Sequence, residues 1–202
     1  MATHYQFLTD TYETERVKIL SVWSMFEDAD LEVRPNPTDR RGRSVREHMV
    51  HQCVSENLWF VNMFGIDVGS SAVPDRETRV EFLRIYAEHS GKRAAALGAK
   101  DDRWWEDALP FFGELRPRTW IMVRRIAHSA HHRGQQTALL RMLGRNVYST
   151  YGPTADTGGL PANHAATVYP YAGVGEIVQG ENAGGRKAHL PGSGGKPVSE
   201  RP

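Results

Sequence analysis

Four segments of the 202-residue chain repeat apolar side chains every three to four residues over several turns, and prolines, glycines and clusters of charge separate them. Only an α-helix brings positions at that spacing onto one face, and such a face is stable only against another like it, so the pattern predicts helices packed around a shared core. The first covers residues 5–26, with Leu8, Tyr12, Val17, Leu20 and Trp23 on its inner face. The second covers residues 45–64. It follows a stretch from Arg34 to Arg43 that is too rich in proline and arginine to be helical, and Ser44 and Glu47 stand at capping-box spacing at its start. Val50, Val54, Leu58 and Val61, joined by Trp59, Phe60, Met63 and Phe64, predict that it is buried on several faces. The third begins after Pro74 with Asp75 as N-cap and stops near Gly98, with Gly91 weakening its second half. Pro117 suits the first turn of the fourth, which extends to Leu143 and ends at Gly144. The expected fold is all-α, an up-down-up-down four-helix bundle over residues 1–146.

Beyond Gly144 the pattern fades. Eleven of the 19 glycines lie in the last 58 residues, so residues 147–202 are expected to form an irregular, glycine-rich C-terminal extension. Residues 148–174 could pack along the bundle, and disorder is expected from about Gln179, so truncation after Gly180 should leave the core intact. Thr157-Gly-Gly lacks the lysine and the strand-to-helix setting of a phosphate loop. The connection from Asp101 to Arg116 carries Trp104, Trp105, Phe111 and Phe112, and so many aromatics predict that it folds back on one end of the bundle, as a plug or as a wall against substrate.

Composition removes several function classes. The 25 basic and 24 acidic side chains leave a formal charge of +1, so no global field draws nucleic acid or an anionic membrane, and neither is expected as a partner. The single cysteine, Cys53, allows no intramolecular disulfide and fits a reducing, cytoplasmic setting; it is read as structural. With no 18-residue apolar run and no signal-like segment, neither export nor a membrane span is expected.

Against this background the histidines stand out. His128 and His132 are four residues apart, about 400° of helix, so both rings leave nearly the same face and can hold one ion. Ile121, Leu139 and Met142 share their stripe, flanked by Trp120, Ala127 and Ala138, which places the pair in the buried face of the fourth helix. His131 turns about 60° away and Arg133 further towards the outside. On the second helix His51 shares a stripe with Val54 and Leu58, whereas His48 lies about 60° round and reads as a polar edge residue. His51, His128 and His132 are therefore the candidate metal ligands, three neutral nitrogens that would leave positions open for water or substrate. The plain alternative is a pair of hydrogen-bonded core or surface histidines. Because ligation needs neutral rings, occupancy is expected to fall below about pH 6.5.

Two motifs add a resemblance. Ser44-Val-Arg-Glu-His-Met-Val-His51 with Ser55-Glu56, and His128-Ser-Ala-His-His-Arg-Gly-Gln135 with Leu140-Arg-Met-Leu-Gly144, resemble the DinB-like family of metal-binding four-helix bundles over roughly residues 1–146. The second motif is the specific one, since the spaced histidines, Arg-Gly-Gln, Leu-Arg and the closing glycine all occur in register. The resemblance implies metal ligands at His51, His128 and His132, a divalent ion such as zinc or nickel, and a thiol-dependent transferase using a low-molecular-weight thiol.

An ion held by three neutral imidazoles keeps its charge and can lower the pKa of a bound thiol or water. The expected function is therefore metal-dependent group transfer involving a small thiol. The alternatives are a hydrolase using metal-bound water and a non-catalytic metal-binding protein. Neither catalytic nor cofactor-binding residues can be named, since Glu47 is taken up by capping and Glu56 points about 140° from His51. The basic cluster Arg40, Arg41, Arg43 and Arg46 could hold the carboxylates of an acidic thiol or a phosphate, or be a solvated face. A small-molecule substrate is expected, and an apolar helix face would allow a homodimer.

Overall fold

The computed structural model describes residues 3–199 and is mostly helical. Its long helices are α1 (Gln6–Met25), α2 (Val45–Phe64), α3 (Arg79–Gly98) and α5 (Arg118–Met142). Between α3 and α5 lie the short α4 (Asp102–Glu106) and the antiparallel hairpin β1 (Ala108–Phe111) and β2 (Glu114–Pro117), with Phe111 paired to Glu114. Among the described residues no helix is long and apolar enough to cross a membrane.

The helix ends follow their chemistry. The Ser44 hydroxyl accepts from Glu47 N at 3.2 Å while the Glu47 carboxylate accepts from Ser44 N at 2.9 Å, a reciprocal cap that starts α2 where expected. Helix α3 starts three residues later than expected, because Thr78 rather than Asp75 is its N-cap, accepting from Glu81 N. Gly91 does not interrupt α3. A Cβ there would lie 2.9 Å from Arg16 Nη2, and the missing side chain lets the Arg16 guanidinium reach Ser90 Oγ and the Ala87 carbonyl. After α5, Gly144 takes a φ of +67°, which turns the chain away.

The helices do not alternate up-down-up-down. On α1, Trp23 packs against Tyr86 and Arg16 bonds Ser90, so α1 and α3 are antiparallel. Trp23 also reaches Gln52 and Tyr12 reaches Glu56, so α2 runs antiparallel to α1 as well. Helices α2 and α3 are thus parallel, as the pairs Arg46 with Glu77 and Asn57 with Arg93 also require. Helix α5 returns in the direction of α1, placing Arg133 beside Glu15 and Gln136 near Trp23. The order is up-down-down-up. Residues 65–78, between α2 and α3, can extend over about 46 Å, more than the roughly 30 Å of a 20-residue helix, so the chain can return to the end it left.

At the centre lies a polar node. The Glu56 carboxylate is fully buried and accepts from Tyr12 Oη at 2.6 Å, Tyr86 Oη at 2.9 Å, Arg125 Nη2 at 3.1 Å and Arg93 Nη1 at 3.3 Å. Burial alone would push this carboxyl up, but Arg125 and Arg93, helped by the two phenols, outweigh it and hold it below its ordinary range. Apolar clusters flank the node. One gathers Leu20, Trp23, Met49, Phe82 and Leu140, and the other Leu8, Phe60, Leu97, Trp105 and Ile121.

The extension is more regular than expected. Helix α6 (Val174–Asn182) buries Ile177 in the first cluster, and the Glu181 carboxylate takes Arg79, Tyr171 and Lys187, the last at 2.7 Å. Tyr148 donates to the Ala188 carbonyl at 2.7 Å. Truncation after Gly180 removes Glu181 and Lys187 and leaves Arg79 and Tyr171 without their carboxylate partner, so it is expected to cost about 2 kcal/mol or more rather than nothing, read as a lowered midpoint in urea. Glu56→Gln leaves two buried guanidinium groups without their charge partner and is expected to cost about 3–5 kcal/mol, measured the same way.

Candidate metal centre

The imidazoles of His51, His128 and His132 converge, each offering a nitrogen, with all three nitrogens within 4.8 Å of one another. Nε2 of His128 lies 3.2 Å from Nε2 of His132. The rings of His51 and His132 are 4.5 Å apart between centroids, and those of His51 and His128 5.5 Å. His132 is buried, while His51 and His128 are half-buried and border an open pocket of about 460 Å³ lined also by Arg43, Arg124 and His131.

The three expected ligands meet, but not for the reason the apolar pattern offered. Val54, Leu58 and Val61 are exposed, so the stripe that His51 shares with Val54 and Leu58 is the outer side of α2. The inner side carries Val45, Met49, Gln52, Cys53, Glu56 and Phe60. Likewise Trp120 and Met142 are exposed on α5, while Ile121 and Leu139 are buried. The histidines stand at the edge of the α2–α5 contact, where helix faces turn from core to solvent. Two flanking residues also differ from expectation. Arg133 is buried against Glu15 and Tyr151, because α5 presents one side to α1 and another to α2. His48 is buried beside His132, its Nδ1 without a hydrogen-bond partner, because it falls on the inner side of α2.

Neighbours orient two of the rings. Nδ1 of His132 is 2.9 Å from Gln135 Oε1, an atom that can only accept, so this nitrogen carries the proton and Nε2 is left with its lone pair. Nδ1 of His128 is 3.3 Å from Arg125 Nη1, which can only donate and also bonds Ser55 Oγ at 3.1 Å. Through Arg125 the Glu56 node therefore touches the site. Trp59 stacks on His128 at 5.9 Å, and Phe111 of the hairpin packs edge-on against Trp59 at 5.3 Å. The aromatic connection is thus a buttress behind His128, with Trp105 as its buried anchor and Phe112 left exposed.

Glu47 is taken up by Arg34 and the Ser44 cap, which together bring its pKa down to about 2, and it reaches none of the three imidazoles. Cys53 is buried and burial pushes its thiol up, in keeping with a structural role. Sequence reasoning missed Arg125, Gln135 and Trp59. Gln135 was legible from its i+3 spacing to His132; the other two depend on how α2 meets α5.

The site is electrically hostile to protons. Burial, then Arg43 and His51, brings His48 down to about 4; burial, then Arg125 and His51, brings His128 to about 4; burial, then His128, brings His132 to about 3. Burial and Arg43 also lower His51. In the unfolded chain these groups titrate near 6.5. The unfolded state therefore binds more protons between about pH 6.5 and 4, and the stability of the metal-free protein is expected to fall as pH drops through that window. A fluorescence melt series checks this, and His48→Phe should flatten the slope. The same shifts mean that protons compete for His128 and His132 only near pH 4 and below, under the 6.5 expected from free histidine, and His51 moves in the same direction.

Comparison with known proteins agrees with this architecture. A crystal structure of a DinB-like protein from Bacillus cereus ATCC 10987 superposes with a TM-score of 0.62 at 23% identity, covering 74% of this chain and 99% of that one. The uncharacterized protein YrdA of Bacillus subtilis strain 168 is 34% identical over 55 residues, 27% of this chain; the match spans about a third of that protein, 33%. The model of the DinB family matches residues 1–159, and the chain belongs to that family.

Proposed function

We propose that His51, His128 and His132 hold one divalent ion, zinc or nickel, and that the protein is an enzyme transferring a group to or from a small thiol there. The carrying observation is the convergence of three nitrogens on an open pocket. The donor set fits such an ion. Two nitrogens each about 2.0–2.1 Å from a tetrahedral ion lie about 3.3 Å apart, close to the 3.2 Å between His128 and His132. The rings are neutral at physiological pH, and Gln135 already leaves the His132 Nε2 lone pair free. On loading, the His128 proton must sit on Nδ1, so Arg125 yields that contact and keeps Ser55 and Glu56.

When bound, the ion supplies a Lewis acid that lowers the pKa of a thiol or water on it. The chain's own contribution is orientation. Trp59, backed by Phe111, covers one side of His128, and the pocket mouth stays open to a small molecule. Hydrolysis by metal-bound water is the second reading, supported by the same open positions, and a non-catalytic metal-binding protein is the third. The exposed strip Val54, Leu58 and Val61 supports a homodimer through the outer face of α2.

In protein purified without an affinity tag, His51→Ala, His128→Ala and His132→Ala are each expected to lose most bound metal, while His131→Ala keeps it. Gln135→Ala is expected to weaken affinity by about 10–100-fold. Equal metal content in all these variants sinks the assignment. A small thiol should move the charge-transfer bands of the cobalt-substituted protein and accelerate consumption of an electrophile, and His132→Ala should abolish both effects. Thiol-independent hydrolysis with an unmoved cobalt spectrum favours the hydrolase.

A further inference from the structure

Most arginines around the site already have carboxylate partners. Arg34 pairs with Glu47, Arg41 with Asp39, Arg46 with Glu32 and Glu77, Arg125 with Glu56 and Arg133 with Glu15. Arg43 and Arg124, the two arginines that line the pocket, are not so paired. Both are exposed, both line the histidine pocket, and neither has a carboxylate within ion-pair distance among the described residues. They lie on or next to the helices that supply the imidazoles: Arg43 immediately precedes the N-cap of α2, and Arg124 lies one turn before His128 on α5. The rest of the lining is His51, His128, His131 and His132, with no acidic side chain.

We propose that the pocket receives a small anionic molecule whose carboxylate or phosphate is held by Arg43 and Arg124 while its reacting end faces the three imidazoles. The placement of the reacting end rests on the metal-site reading; the anion contact does not. An uncharged ligand leaves both guanidinium forks unmatched, whereas an oxyanion offers the planar, multidentate acceptor that arginine binds best. A divalent ion with three neutral ligands would add to the positive potential rather than cancel it. Of the basic cluster 40–46, only Arg43 faces this pocket; Arg41 and Arg46 are spent on local ion pairs.

The test is calorimetric titration of the full chain, zinc-loaded and zinc-free, with mercaptosuccinate, succinate and uncharged thioglycerol. Arg43→Gln/Arg124→Gln is compared with Arg76→Gln/Arg103→Gln, which removes the same charge away from the pocket. Mercaptosuccinate is expected to bind the wild type more tightly than thioglycerol does. The pocket variant should lose about tenfold or more of that affinity and the control variant about twofold or less, with the advantage eroding at high salt. Equal losses in the two variants, or no preference for mercaptosuccinate in the wild type, overturn the proposal. Zinc content of the same samples separates the two readings. Arginine-dependent succinate binding by a protein that takes up neither zinc nor nickel sinks the metal site and leaves the anion site standing. Zinc held by the three histidines without arginine-dependent binding sinks the anion site alone.

Discussion

The buried carboxylate of Glu56 is the interaction on which the arrangement of the long helices depends. Its partners come from every one of them: Tyr12 from α1, Tyr86 and Arg93 from α3, Arg125 from α5, and Glu56 itself from α2. A buried ion network contributes little net stability compared with well-packed apolar side chains, because desolvation offsets most of the attraction. Its effect lies in the cost of alternatives. A helix that slipped by one turn would strand a charge in the core, so the node selects one register out of several that apolar packing alone would accept.

That register carries the site. Arg125 binds Glu56 with one nitrogen and reaches Ser55 and His128 with the other, so the contact that docks α5 on α2 also aims the His128 ring. One turn on, His132 meets His51 across the same seam. Imidazoles projecting from two helices converge only if the relative rotation and height of those helices are set, and the node sets both. The hairpin acts from outside, through Phe111 and Trp59.

Much of this was legible in the sequence. The spans of α1, α2 and α5, the Ser44 cap and the glycine stop at Gly144 follow from periodicity and turn chemistry, and the four-residue spacing of His128 and His132 puts their rings on one side of α5. What escaped were the features decided by tertiary pairing. Val54 and Leu58 read as core because they are apolar at helical spacing, yet that side of α2 is open, and the buried side carries Gln52 and Glu56. A core built on a polar node inverts the usual sign of the signal: charged residues at helical spacing mark the inside. The same inversion hid Arg133, His48 and Glu181, all buried. Helix direction escaped because connections long enough to cross the whole bundle leave it open, and α6 escaped because its glycines mask a short amphipathic turn around Ile177.

The charge around the histidines also bears on why such a site would prefer a metal ion to protons. Arg43, Arg124 and Arg125 surround rings that burial already makes hard to charge, and each ring opposes protonation of the next. Protons arrive as separate charges, one per ring, so each further proton meets the repulsion of those already bound. A single divalent ion places one centre of charge among all three rings and is stabilised by three lone pairs at once, so its binding does not grow costlier with each ligand added. Convergence thus acts in opposite directions on the two competitors, weakening the proton and strengthening the ion. A cationic rim would still oppose the ion, and an anion entering with it would relieve that opposition. In such a site occupancy by the metal and by an anionic partner are thermodynamically linked, each raising the affinity for the other.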